Sequence, residues 1–203
     1  NELTRSVGEL KALGEVGQAV SSTLDLEKVL TSIVSHAVKL SETDNGAIFE
    51  FDERNQDLYL RATYQLSDEL VRAIQEVRIR LEDTVVGRAV RRHEPVQLPD
   101  VWEEPNYPDR DMLDRMGVRG VLALPLMQES RVAGALVVGR KTPGPFSKET
   151  VEFLQMFTAQ SVLAIQNARL FREIEAKGRQ LEVANHAARR ADKGSKQSLA
   201  RVR

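Results

Sequence analysis

Three histidines and no cysteine limit the chemistry open to this 203-residue chain. Without cysteine there are no disulfides, thiolate zinc sites or thiol nucleophiles. His36, His93 and His186 fall in three separate segments. His36 sits among apolar neighbours in a helical pattern, and reads as a satisfied boundary histidine in preference to a metal or haem ligand. His93 follows Arg91 and Arg92 at a helix end, where positive charge suits the helix dipole. His186 lies in a polar stretch. There is no Gly-rich phosphate loop, GxSxG elbow or HExxH pair. The sequence therefore predicts no catalytic residues and no metal ligands, and the chain reads as a non-enzyme.

The composition is 41% hydrophobic, enough to bury a core and inconsistent with disorder. The longest apolar run, "GVLALPLM" at 120–127, is far short of the roughly 18–20 residues a membrane-spanning helix needs. No charged-then-apolar leader opens the chain, so no membrane insertion is expected and the location reads as cytoplasmic. It begins at Asn1, which suggests a piece of a longer protein. The net charge of −1 is unevenly spread: Arg189, Arg190, Lys193, Lys196, Arg201 and Arg203 against Asp192 put +5 on the tail, leaving −6 on residues 1–188. An acidic body argues against nucleic acid as a partner. The tail lacks aromatics and an apolar face, and reads as solvated linker.

Any binding residues must be positioned by a mixed set of elements. Leu3, Val7, Leu10, Leu13, Val16 and Val20 recur at helical spacing over residues 1–23. Asp25 is placed to cap a second helix burying Leu26, Val29, Leu30, Ile33, Val34 and Val38, with "DNG" at 44–46 ending it and turning the chain. "AIFEFDE" and "DLYLRATYQ" read as a hairpin. Short helices follow at "SDELVRAIQEV", capped by Ser67, and at "TVVGRAVRRHE". "PVQLPDV" is a strand, and "WEEPNYPDRDML" a loop opening a helix that Gly117 ends. Two near-continuous apolar strands meet at "QES", as expected of central strands covered on both faces. Ser147 caps a last helix with no breaker before Gly178. The order predicts an α+β domain over 24–166, with a mostly antiparallel sheet and helices packed against it.

Residues 167–203 carry a second pattern. Phe171, Gly178 and Asn185 alternate with Ile174, Leu181 and Ala188 as the a and d positions of a coiled coil. A polar Asn at one a position is a device for fixing register in a two-stranded assembly. A homodimer through Leu3, Val7, Leu10, Phe171, Ile174, Leu181 and Asn185 is the expectation, and a lone amphipathic helix the alternative.

Three stretches together resemble the GAF domain of bacterial signalling proteins and cyclic-nucleotide phosphodiesterases. They are "EDTVVGRAVRRHEPVQLPDVWEEPNY", "GVRGVLALPLMQESRVAGALVVGRKTPGPFSKETVEFL" and "QSVLAIQNARLFREI", in the family's order, and the resemblance covers 24–171. The flanking helices resemble the signalling helices that join such sensors to histidine kinase or cyclase outputs, and "RLFREIEAKGRQLEVAN" looks like a linker into a kinase dimerisation domain. His186 is not followed by a phosphoacceptor motif, so the output domain is expected outside this chain.

The resemblance implies a ligand pocket between one face of the sheet and its covering helices and loops. The matching segments would supply Trp102, Tyr107, Met112 and Met116 as apolar lining and Arg88, Asp100 and Arg119 as polar anchors. Met112 and Met116 also stand four apart, the spacing at which both would pack inward on any amphipathic helix. Bilin-binding relatives attach the pigment through cysteine, relatives that reduce free methionine sulfoxide resemble cysteine-dependent enzymes, and this chain has no cysteine. Cyclic-nucleotide-binding members carry Asn-Lys, Phe and Asp-Glu near the last strand. Here Arg140, Lys141 and Phe146 stand in part of that pattern, with Thr150 and Val151 in place of Asp-Glu. The cofactor, if any, is unassigned. The sequence thus predicts a sensory module that binds an unidentified small molecule and signals through a parallel helical dimer to an output domain. The alternatives are a ligand-free structural dimerisation module and, behind it, a cyclic-nucleotide-binding domain.

Overall fold

The computed structural model describes residues 26–76, 79, 84–108 and 110–200. Leu3, Val7, Leu10 and the proposed cap Asp25 lie outside them, as does the side chain of Asn185. The elements run α1 (Leu26–Leu40), β1 (Asn45–Asp52), β2 (Asp57–Tyr64), α2 (Asp68–Glu76), α3 (Val85–Arg92) and β3 (Val96–Leu98). A 3₁₀ turn (Val101–Glu103), α4 (Arg110–Arg115), β4 (Gly120–Gln128), β5 (Arg131–Arg140) and α5 (Lys148–Ala200) follow. The chain forms two compact units, divided after Ile165.

In the first part, five strands form one sheet in the order β2-β1-β5-β4-β3, every pair antiparallel. The expected α+β class follows directly: hairpins join β1 to β2 and β4 to β5, and β5 returns to pair with β1. Alternation along each strand sends successive side chains to opposite faces. Ile48, Leu122, Leu124, Leu126, Leu136 and Val138 face α1 and the start of α5, packing on Leu30, Ile33, Val34, Leu154 and Phe157, all essentially without solvent exposure. Ala47, Phe49, Val121, Ala123 and Ala135 face the other way, under α3 and the segments around it. This double cover explains why β4 and β5 read as continuous apolar runs. β2, at the edge, alternates buried and exposed positions instead.

One local expectation is corrected. "DNG" at 44–46 is not the turn after α1. The chain turns at Ser41–Thr43, where Glu42 takes a left-handed backbone (φ 56°), and Asn45 and Gly46 already belong to β1. The glycine is there for proximity: a Cβ on Gly46 would lie 2.7 Å from Val38 Cγ2 and 2.9 Å from Val34 Cγ2. Only a residue without a side chain lets α1 approach the sheet this closely.

In the second part, α5 continues with Leu170, Ile174, Leu181 and Val183 more than half exposed and Phe171 half-buried. Among the described residues, no helix is long and apolar enough to cross a membrane.

Candidate functional site

The second face of the sheet is where packing is incomplete. A cavity of about 100 Å³ lies between β1, β4 and β5 on one side and α2, α3 and α4 on the other. Phe49, Val121 and Val137 form its floor, Val85 and Val86 come from α3, and Leu113 and Met116 close it from α4 and its end. The elements around it are short and held by side chains. Thr84 caps α3, its Oγ1 accepting the Gly87 N–H at 3.1 Å. Tyr107 accepts the Val85 N–H at 2.9 Å through its hydroxyl, tying the 99–108 loop to the first turn of α3. His93 ends α3 in a left-handed conformation (φ 59°), its own N–H bonded to the Ala89 carbonyl.

The seven residues expected at a pocket separate into two groups. Tyr107, Met112 and Met116 line the cavity. Arg88, Asp100, Trp102 and Arg119 do not, and the charged ones are engaged with one another or with the loop. Arg88 donates two hydrogen bonds to Glu104, at 3.0 and 2.8 Å, with its guanidinium 6.0 Å from the Tyr107 ring centre. Arg119 grips Asp100 in the same forked way, its Nε donating to Oδ1 at 2.9 Å. Asp100 Oδ1 also accepts the Trp102 N–H at 3.0 Å, capping the 3₁₀ turn. Trp102 is 49% exposed, with the guanidiniums of Arg110 and Arg119 at 4.9 and 5.4 Å from its ring. It borders a wide surface hollow of charged residues, to which Tyr107 and Met112 also contribute. That hollow is larger, about 760 Å³, but its polar, solvent-open walls lack the apolar enclosure that holds a small molecule.

The two forked pairs act electrostatically on their own carboxylates. The hydrogen bonds from Arg88 hold Glu104 below the ordinary glutamate value, and those from Arg119, helped by the Trp102 N–H, hold Asp100 below the ordinary aspartate value. Both acids therefore stay ionised and keep the loop attached to α3 and β4 near neutral pH.

Sequence reading missed the floor of the cavity and Asn45 at its edge. With Asn45 paired into β1, strand alternation places it on the face of Ala47 and Phe49. His36 Nδ1 lies 2.8 Å from the Ser32 carbonyl within α1, far along the chain from the cavity lining. Among the described residues, no group of three His, Cys, Asp or Glu could hold a metal ion.

The chain belongs to the GAF domain family, whose match spans residues 25–165. It is 27% identical to the GAF domain of an Acinetobacter phosphoenolpyruvate-protein phosphotransferase, with a TM-score of 0.66 over 81% of this chain and 97% of that one. It also resembles the domain of a putative two-component sensor histidine kinase from Sinorhizobium meliloti 1021, at 19% identity and a TM-score of 0.56, covering 70% and 92% of the two chains. A probable 3',5'-cyclic phosphodiesterase, pde-5 of Caenorhabditis elegans, is 21% identical over 168 residues, 79% of this chain. The chain spans 23% of that relative's length.

Proposed function

We propose that this chain is a non-catalytic sensory module of a cytoplasmic signalling protein. It binds a small molecule in the cavity on the second face and works as a parallel homodimer through its helices. It passes the response to an output domain outside this chain. The observation that carries the reading is the asymmetry of the sheet: one face is covered by long apolar stripes from α1 and α5, and the other encloses an apolar cavity under short, separately anchored elements. Along α5, Met156, Leu163 and Leu170 are exposed apolar residues at seven-residue steps, with Ile174 and Leu181 exposed seven apart beyond them. Such repetition suits a second helix. A ligand would act by binding two arrangements of that helix pair unequally. A histidine kinase output is supported by the Sinorhizobium neighbour, whose likeness extends to the fold.

The cavity volume favours a second reading, a structural dimerisation module without a ligand. At about 100 Å³ it lies below the roughly 300–1,000 Å³ of most ligand sites. A cyclic nucleotide is the weakest candidate, because Arg88 and Arg119 already face carboxylates and neither lines the cavity. Native mass spectrometry of freshly purified protein, set beside denatured protein from the same batch, separates the readings. The sensor reading expects a dimer carrying extra mass that denaturation releases. A dimer at bare mass favours the structural module, and a monomer removes the two-helix relay.

A further inference from the structure

Asn45 stands at the start of β1 on the cavity face, in step with Ala47 and Phe49, and is 7% exposed. Its partner across the ladder is Gly139 of β5. A Cβ at Gly139 would lie 2.6 Å from Asn45 Oδ1 and 3.2 Å from Val118 Cγ1, so the carboxamide occupies the space that the missing side chain leaves. Despite its burial, the Asn45 side chain has no hydrogen-bond partner among the described residues. The other polar side chains at the cavity are committed to the start of α3: Thr84 caps Gly87, and Tyr107 accepts from Val85. Among the described residues, no carboxylate, ammonium or guanidinium lines the cavity.

Resting on the reading of the chain as a ligand-binding sensor, we propose that Asn45 is the polar anchor of the cavity. It selects a small, uncharged, largely apolar ring bearing an adjacent hydrogen-bond donor and acceptor, as at the amide edge of a lactam or pyridone. A primary carboxamide presents one acceptor and two donors, the complement of such an edge. An uncharged ligand is favoured because an ion would be desolvated with no counter-charge among the described lining residues. A cavity of about 150 Å³ accepts benzene; this one, at about 100 Å³, is smaller, so a single ring is the upper limit and enters only as the lining widens.

The test titrates 2-pyridone and benzene separately into the ¹⁵N-labelled chain and follows the Asn45 side-chain amide signals and the Met116 methyl. The expected result is binding of 2-pyridone about tenfold or more tighter than benzene, with the Asn45 amide signals moving only for 2-pyridone. Asn45→Leu, which keeps the branched shape but lacks the amide, should abolish that preference. Equal affinities in the native chain, binding of neither probe, or an unchanged preference in Asn45→Leu would each overturn the proposal. If Asn45→Leu does not fold, the native comparison still decides. Failure here beside a dimer that releases bound mass removes the anchor and keeps the sensor. A bare-mass dimer that prefers 2-pyridone keeps the anchor and weakens the sensor.

Discussion

Gly46 and Ala47 are neighbours in β1 that look in opposite directions, and each meets a different kind of packing. At Gly46 the valines of α1 stand so close that a single added carbon would fall within 2.9 Å of two of them. At Ala47 the side chain borders the cavity under α3. On the first face, long elements lay continuous apolar stripes on the sheet, so side chains interlock and little space remains. On the second, short helices and a loop are fastened by caps and ion pairs, which fix backbone positions without filling volume. Rigidity is thus concentrated on one side of the sheet, and accommodation on the other.

The most severe test of this contrast is truncation. Phe157 is fully buried on the first face and meets Phe153 edge-on at 5.3 Å between ring centres. Phe157→Ala should destabilise by about 3–5 kcal/mol in urea unfolding. Met116→Ala, partly buried beside an existing cavity, should fall at or below the lower end of the usual range, about 2 kcal/mol. Comparable losses at the two positions would remove the distinction.

A gentler test adds volume instead of removing it. Gly46→Ala should destabilise by about 1–3 kcal/mol, because branched valines cannot rotate aside within α1. Ala47→Val should be neutral or raise stability by about 0.5–2 kcal/mol by filling the cavity. The two single variants compared by thermal unfolding would decide it, and a loss at Ala47 as large as that at Gly46 would mean the second face is equally tight.

Acid should separate the faces by the smallest margin. Glu104 and Asp100 have folded pKa values below their ordinary 4.5 and 3.8 because Arg88 and Arg119 hydrogen-bond their charged forms. A depressed folded value means the contribution is fully present above the ordinary value and is lost as pH falls through the folded one. Between pH 5 and 3 the amides of α3 should therefore exchange faster with solvent before those of α1 do. Glu104→Gln should make α3 less sensitive to that acidification. The expectation fails if both helices respond together, or if the variant leaves the pH dependence of α3 unchanged.

Much of this architecture was determined by the sequence itself. The stripe of Val29, Leu30, Ile33, Val34 and Val38, the caps at Thr84 and Ser147, and the paired apolar runs meeting at "QES" each express a local periodicity or a short-range hydrogen bond. Elements written over four to fifteen neighbouring residues can be read without knowing what they touch. Membership of the sheet by Asn45 and Gly46 was a tertiary decision, because "DNG" has turn chemistry and only the approach of α1 and the pairing with β5 override it. The partners of Arg88 and Arg119 were likewise settled in three dimensions. Each could have faced a ligand, but Glu104 and Asp100 lie 16 and 19 residues away in the chain and a hydrogen bond away in space. The cavity belongs wholly to the tertiary structure. An unfilled volume is a property of how distant side chains fail to meet, and no single stretch of sequence contains it.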